Sequence, residues 1–322
     1  MLISMEDRVH TLEGDRNFAR LLSSFLALHT NESAEYLNYL IGLFMQRAVP
    51  HVHPEPSVKK EIAHRLAADM GTQSDVPSFL HYYLQRCLMQ DEWTPQAAFV
   101  ASRYLRRRVD DRFVSWQQRQ QHVAELAREP IAGSELGHAQ FLNSQGAGPA
   151  FRWRGIPCFK TVYDLAIYAM LLDELRPATV IELGSGAGGS ALLFADLCTS
   201  LDLSTRIISV DKEAVQEFSD PRINFIQSDC ASWLEAAARS RAELARPCLL
   251  VEDFHGELSG FFEHIDSLLQ AGDYLVIEDS NPKQSAIAQT IASLPYAVDT
   301  KYTDFFGINC TSAINSIFVK NA

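Results

Sequence analysis

One stretch constrains this chain more than any other: Thr179-Val-Ile-Glu-Leu-Gly-Ser-Gly-Ala-Gly-Gly-Ser190. Thr179 to Glu182 predicts a buried β-strand, because apolar and β-branched side chains dominate it. Gly184, Gly186, Gly188 and Gly189 follow at once, and Ala191-Leu-Leu-Phe-Ala-Asp-Leu opens a helix with an apolar stripe. Strand, glycine turn and helix start together form the crevice in which an α/β sheet holds a nucleotide-like ligand. Glycine lets the backbone take φ > 0 and approach such a ligand closely. Without a ligand, four glycines in six residues would only weaken the fold.

The spacing Gly184-x-Gly186-x-x-Gly189 fits a dinucleotide fingerprint, with Asp211 downstream as the ribose acid. It therefore leaves two donors open, a nicotinamide cofactor and S-adenosylmethionine. Glu182, an acid at the strand end two residues before the first glycine, leans toward the second. A pyrophosphate beside that carboxylate would be repelled, whereas a cationic sulfonium or amino group would be attracted. Glu182, Gly184, Ser185, Gly186 and Ser190 are the donor contacts expected in this stretch.

The 322 residues suggest two domains, and a 47% hydrophobic content is ample for a core. A formal charge of -12 excludes binding of nucleic acid through bulk positive charge. No apolar run reaches bilayer-spanning length, and Met1-Leu-Ile-Ser-Met-Glu-Asp-Arg lacks the layout of a signal peptide, so a cytoplasmic enzyme off the membrane is expected. The six cysteines, with no C-x-x-C pair, read as reduced and mostly buried thiols. Cys230 falls at the edge of the donor crevice, although a small buried residue is the plainer account of it.

In chain order, residues up to about 130 carry no strand signal. Helical spacing recurs over 18–28, 36–45, 58–70, 76–89, 95–107 and 113–128. His51 and His53 lie in a proline-rich loop, and Arg106 to Arg112 reads as a solvated, salt-bridged helix end. The apolar stripes predict that this all-α part, residues 1–145, caps the active site, builds a homo-oligomer, or does both. A glycine-rich segment over 132–149 marks the junction. Residues 146–322 then alternate strands and helices. After Thr179–Glu182 the strands are Arg206–Asp211, Ile223–Asp229, Cys248–Glu252 and Asp273–Glu278. The helices are Val162–Leu175, Ser190–Leu201, Ala231–Ala245, Leu258–Gln270 and Pro282–Leu294. Ala297–Tyr302 and Asn315–Lys320 add antiparallel edge strands. That alternation predicts a doubly wound, mostly parallel sheet.

Each predicted parallel strand ends in an acid: Glu182, Asp211, Asp229, Glu252 or Asp253, and Glu278 with Asp279. Ligands bind outside these ends in open α/β sheets. Asp211 suits a ribose diol and Asp229 an adenine amino group, and both would equally serve as helix caps. Carboxylates converging from neighbouring strand ends without soft ligands favour a hard cation such as Mg²⁺. His255, three residues past Glu252, is placed to act as general base on a substrate hydroxyl. Plain loop acids and a helix-capping histidine are the bland alternative.

Trp153-x-Gly155-x-Pro157-x-x-Lys160, the helix before Arg176-Pro177, Ile181-Glu182-x-Gly184 and Gly188-Gly189-Ser190-Ala191 resemble the cephalosporin hydroxylase family. That family includes metal-dependent O-methyltransferases acting on macrolide sugars and rhamnosyl groups, with a class I methyltransferase fold. The resemblance runs from about Phe151 to the C-terminus. It aligns Glu252-Asp-Phe-His255 with an Asp-Ser-x-His turn of the family, and Glu278-Asp279 with its Glu-Asp pair. It thereby implies Glu252, Glu278 and Asp279 as Mg²⁺ ligands and His255 as the base. The departure is Glu252 where the family has Asp, which leaves Asp253 as an alternative ligand.

The expected protein is a Mg²⁺-dependent O-methyltransferase using S-adenosylmethionine on a hydroxylated small molecule of natural-product biosynthesis. Two rivals stand beside it: a nicotinamide-dependent oxidoreductase, and a donor-binding protein that has lost methyl transfer.

Overall fold

The computed structural model describes residues 56–72, 79–94, 97, 101, 104, 112–126, 133–215, 218–240, 243–254 and 261–322. The helices expected over 18–28 and 36–45, the loop with His51 and His53, the Arg106–Arg108 run and His255 lie outside them. The chain divides into two compact units, Met1–Val109 and Asp110–Ala322.

The described part of the first unit is helical. Helix α1 (Pro56–Thr72) and helix α2 (Phe79–Gln90) bury Ile62, Leu66, Leu84 and Cys87 together with Trp93, Ala97, Ala101 and Tyr104.

The second unit begins earlier than the expected boundary at residue 145, with β1 (Phe113–Val114) and α3 (Trp116–Leu126). Residues 113–128 were expected to be wholly helical and part of the N-terminal domain. Instead Phe113 and Val114 pair antiparallel with Asp299 and Val298. Arg112 fixes that edge by gripping Asp299 through Nε and Nη2 at 2.8–3.2 Å. A two-residue strand is too short to show periodicity, and its partner is nearly two hundred residues away. The glycine-rich 132–149 segment is likewise part of this unit rather than a linker. Glu135 N bonds Ile308 O at 2.9 Å and Ser134 Oγ bonds Asn309 O at 2.8 Å, ahead of helix α4 (His138–Asn143).

The remaining elements are β2 (Arg152–Trp153), β3 (Ile156–Pro157), α5 (Val162–Leu175), β4 (Thr179–Leu183), α6 (Gly189–Ser200), β5 (Arg206–Asp211), β6 (Ile223–Gln227), α7 (Cys230–Arg239), β7 (Cys248–Glu252), α8 (Phe261–Leu268), β8 (Tyr274–Ile277), α9 (Gln284–Ile291), β9 (Tyr296–Asp299), α10 (Thr300–Thr303) and β10 (Ile317–Lys320). Their sheet runs β1-β9-β10-β8-β7-β4-β5-β6. Strands β8, β7, β4, β5 and β6 are parallel, and β10 is inserted antiparallel between β8 and β9. The expected edge strand over Ala297–Tyr302 stops at Asp299, whose carboxylate accepts from Lys301 N and starts α10.

Strand alternation sends side chains to two cores. Ile181, Leu183, Leu250 and Ile277 pack with Leu234, Ile265, Ile287 and Ile291 on one face. Val180, Val251 and Val276 pack with Ile167, Leu171, Leu172 and Phe194 on the other. Helix α5 starts where Thr161 Oγ1 accepts from Asp164 N, and it ends at Arg176 in the left-handed region before Pro177. The hairpin β2–β3 is tied to α6 by Trp153 Nε1 on Asp196 Oδ2 at 2.8 Å.

Candidate active site

The central strand β4 is buried throughout, so Glu182 reaches its end with no exposed surface. Its Oε2 accepts from Ser209 Oγ at 2.6 Å, and that hydroxyl also lies 2.6 Å from Ser185 Oγ. Glu182 Oε1 has no hydrogen-bond partner. Burial pushes this carboxyl above its usual range, against the pull of the Lys160 charge and the nearby Ser190 and Ser209 hydroxyls. A buried acceptor without a donor is costly, and a cationic or N–H-bearing ligand would relieve it.

The glycines after β4 do two different things. A Cβ on Gly184 (φ 104) would lie 2.4 Å from the Asp253 carbonyl oxygen, and one on Gly189 would lie 2.1 Å from that of Pro157. These two let neighbouring chain segments close in. Gly186, by contrast, has open space where its Cβ would be, and its N–H donates to Asp211 Oδ2 at 2.9 Å. It is the position a ligand can approach. Helix α6 then opens at Gly188 without a side-chain cap, with Ser190 in its first turn.

At the end of β5, Asp211 also accepts from Glu213 N. Asp229 caps α7 by accepting from Ser232 N at 2.9 Å, and the bond lowers its pKa. Cys230 is buried with Sγ on Val210 O, and desolvation pushes its thiol up to about 12. That makes it an inert core thiol.

The acids of β7 and β8 are held by lysines. Lys160, almost wholly buried, bonds Asp253 Oδ2 and Glu278 Oε2, each at 2.6 Å, and Tyr168 donates to Glu278 Oε1. Burial pulls the Lys160 pKa down, but Glu278 and Asp253 outweigh it and hold the ammonium well above its usual range. Lys283 Nζ meets Glu252 Oε1 and Oε2 at 3.0 and 2.8 Å and the Glu278 carbonyl at 2.9 Å. Burial raises Glu252 to about 7, even with Lys283 pulling the other way. Glu278 is raised by burial as well.

The expected trio Glu252, Glu278 and Asp279 is therefore not gathered around one point. Among the described residues, no three His, Cys, Asp or Glu side chains form a group able to hold a metal. The reason lies in the strand pleat. Glu252 follows Leu250 on the α9 side of the sheet, whereas Glu278 follows Val276 on the α5 side. Asp279, the next residue, takes the left-handed region at φ 44.

Sequence reasoning did not assign a site role to Lys160, Lys283, Tyr168 or Ser209. Lys160 was visible only as part of the Trp153-to-Lys160 motif, and nothing local marks Lys283. Asp164 ties the Lys160 segment down by accepting from Thr311 Oγ1 at 2.6 Å and Ser312 N at 3.1 Å. A cavity of about 440 Å³ lined by Arg206, Ile208, Ile226 and Trp233 lies between β5, β6 and α7 and includes none of these residues.

A central strand with its glycine turn, in a run of five parallel strands that is followed by β10 inserted antiparallel between β8 and β9, defines a class I methyltransferase domain. Comparison with known proteins agrees with the class. Residues 147–291 match the family model for rhamnosyl O-methyltransferase/CmcI. The rhamnosyl O-methyltransferase of Mycobacterium leprae (strain TN) is 33% identical over 164 residues, which span 48% of this chain and 72% of that protein. That of Mycobacterium tuberculosis (strain ATCC 25618 / H37Rv) is 29% identical over 167 residues, 48% of this chain and 66% of that protein. Solved structures of CmcI are also similar. The apo form has 24% identity and a TM-score of 0.46, and the form with Mg-SAM has 22% identity and 0.47; both cover 61% of this chain and 88% of theirs. The chain belongs to the rhamnosyl O-methyltransferase/CmcI family, which places it among the O-methyltransferases.

Proposed function

We propose that this protein transfers a methyl group from S-adenosylmethionine to a hydroxyl of a small polyhydroxylated acceptor, a sugar or sugar-bearing natural product, with Mg²⁺ at the acid edge. The observation that carries this reading is the buried Glu182 at the end of β4, with Oε1 unpartnered beneath an open glycine turn. A carboxylate there suits the positive end of a sulfonium amino acid and disfavours a pyrophosphate, which argues against the nicotinamide alternative. Asp211, beside the Gly186 amide, accepts from a ribose diol, while Gly184, Ser185 and Ser190 line the turn. Asp229 and Cys230 border the adenine end. The donor, when bound, supplies an electrophilic methyl group. The chain's part is to hold donor and acceptor in line and keep water out, and such positioning supplies much of the acceleration.

The acid edge suits a hard divalent cation. Three carboxylates (Glu252, Asp253, Glu278) pair with two ammoniums (Lys160, Lys283), Asp279 follows Glu278 in the chain, and all the donors are oxygens. Glu278 is committed to Lys160 and Tyr168, so Glu252 and Asp279 would hold the ion, with Asp253 as the alternative to Glu252. Mg²⁺ commonly keeps several waters and takes only one or two carboxylates. When bound it would lower the pKa of an acceptor hydroxyl. His255 is the proposed base that takes that proton. A cytoplasmic homo-oligomer that binds neither nucleic acid nor membrane completes the proposal. Among the described residues, no helix is long and apolar enough to cross a membrane.

The test is calorimetric titration of S-adenosylmethionine and S-adenosylhomocysteine into wild type and Glu182→Gln, followed by an assay for S-adenosylhomocysteine release with polyhydroxylated acceptors. Micromolar donor binding that weakens about tenfold or more in the variant is expected. Absence of donor binding to the wild type would overturn the reading.

A further inference from the structure

Lys283 sits where a cation belongs. It is the residue that precedes α9, and its ammonium reaches both Glu252 oxygens and the Glu278 carbonyl at 2.8–3.0 Å. An ammonium has three N–H donors, and these three acceptors use all of them. Glu252 has no exposed surface, whereas the Lys283 side chain is 12% exposed. Lys160, its counterpart on the other side of the sheet, is 1% exposed and locked between two carboxylates.

We propose that Lys283 is a built-in competitor of the divalent cation. It occupies the Glu252 carboxylate when the metal is absent and swings out when the metal binds. The inference rests on the Mg²⁺ part of the proposed function. A buried carboxylate with no cation near it is strongly destabilising, so a metal-free state needs a substitute charge. Lysine can be that substitute and still leave, because it is a point charge on a flexible four-carbon stem. Its anchor stays put. Gln284, the next residue, donates Nε2 to Ser280 O at 3.1 Å and Ile314 O at 2.7 Å, so the start of α9 is held while the side chain moves. Lys160 has no such exit and stays as the permanent counter-ion of Glu278.

The experiment is calorimetric titration of MgCl₂ into wild type, Lys283→Met and Lys283→Arg. Methionine removes the competing charge, so Mg²⁺ should bind about tenfold tighter or better, equivalent to about 1.4 kcal/mol. Arginine keeps the charge and should bind Mg²⁺ no tighter than wild type. A second measurement uses the wild type alone and so does not depend on the variant folding. Brief acetic anhydride labelling read by mass spectrometry should show Lys283 modified faster when saturating Mg²⁺ is present, with Lys160 protected throughout. Equal Mg²⁺ affinity in wild type and Lys283→Met, or Lys283 labelling that ignores Mg²⁺, would overturn this inference and leave the metal reading intact. Failure of wild type and Lys283→Met alike to bind Mg²⁺ would overturn both, while donor binding would still stand.

Discussion

The two halves of the carboxyl edge are built in opposite ways. The donor half, from Glu182 through the glycine turn to Asp211, is assembled within one strand-helix-strand unit, and its contacts are a hydroxyl pair, a backbone amide and open space. The acid half, from Glu252 to Asp279, is assembled from residues far apart. Lys160 bonds Glu278 across 118 positions and Asp253 across 93. One half waits with a vacant acceptor, Glu182 Oε1, while the other has its acceptors filled by ammoniums. A ligand entering the first half adds a partner. A cation entering the second half has to displace one.

The comparison breaks most visibly at Lys160. Replacing it with methionine leaves Glu278, 3% exposed, without its cation, and breaking one side of a buried pair costs about 3–5 kcal/mol. Urea denaturation of Lys160→Met should show a loss of that order near pH 8. The loss should shrink toward low pH. Glu278 already has a folded-state pKa above its ordinary value, and removing Lys160 raises it further. Such a group favours the folded state below its unfolded pKa and loses that contribution as pH rises through the folded pKa. A variant equally stable with wild type at pH 8 would show that Lys160 is not the counter-ion.

On the donor side the largest effect comes from the backbone. Gly184→Ala places a Cβ 2.4 Å from the Asp253 carbonyl oxygen at a φ of 104. A non-glycine residue in so sparse a region costs about 1–3 kcal/mol before the clash is counted. Because the clash is with the end of β7, the variant should lose donor affinity and shift the acid edge together. Thermal denaturation and donor titration read the two effects separately. Gly186→Ala, with open space at its Cβ, should lose donor affinity with a much smaller drop in melting temperature.

This contrast also explains what could be read from the sequence. The parallel strands and the helices between them were legible because each carries its own period or apolar run, as in Thr179–Leu183 and Val162–Leu175. The glycine turn was legible because its chemistry is contiguous. The boundary at Asp110 was not, since β1 is two residues long and exists only through Asp299 and Val298. Glu252 and Glu278 could be found as strand-end acids. Their separation to opposite faces follows from where each strand ends relative to the pleat, which single-strand reasoning does not register. The lysines were invisible as a pair, because an ammonium seated on a buried carboxylate is a tertiary fact.

The smallest effect sharpens the comparison at the far edge of the sheet, where charge pairing is half-exposed. Glu174 accepts from Arg112 Nη1 at 2.6 Å and Tyr302 OH at 2.7 Å, and it also pairs with Lys301. Burial alone would raise its pKa, but Lys301, Tyr302 and Arg112 reverse that and hold it at about 2. A carboxylate depressed from 4.5 to about 2 stabilises the fold above its unfolded pKa and loses that contribution as pH falls between the two values. Glu174→Gln should therefore flatten the decline in urea midpoint between pH 5 and pH 2.5 relative to wild type. The change should be small and should fade in 1 M salt, since the glutamate side chain is 39% exposed and its partners are screened. The same salt should leave the Lys160→Met defect nearly untouched, because that pair lies beyond the reach of mobile ions. Equal salt sensitivity at the two positions would remove the distinction between a buried counter-ion and a surface one.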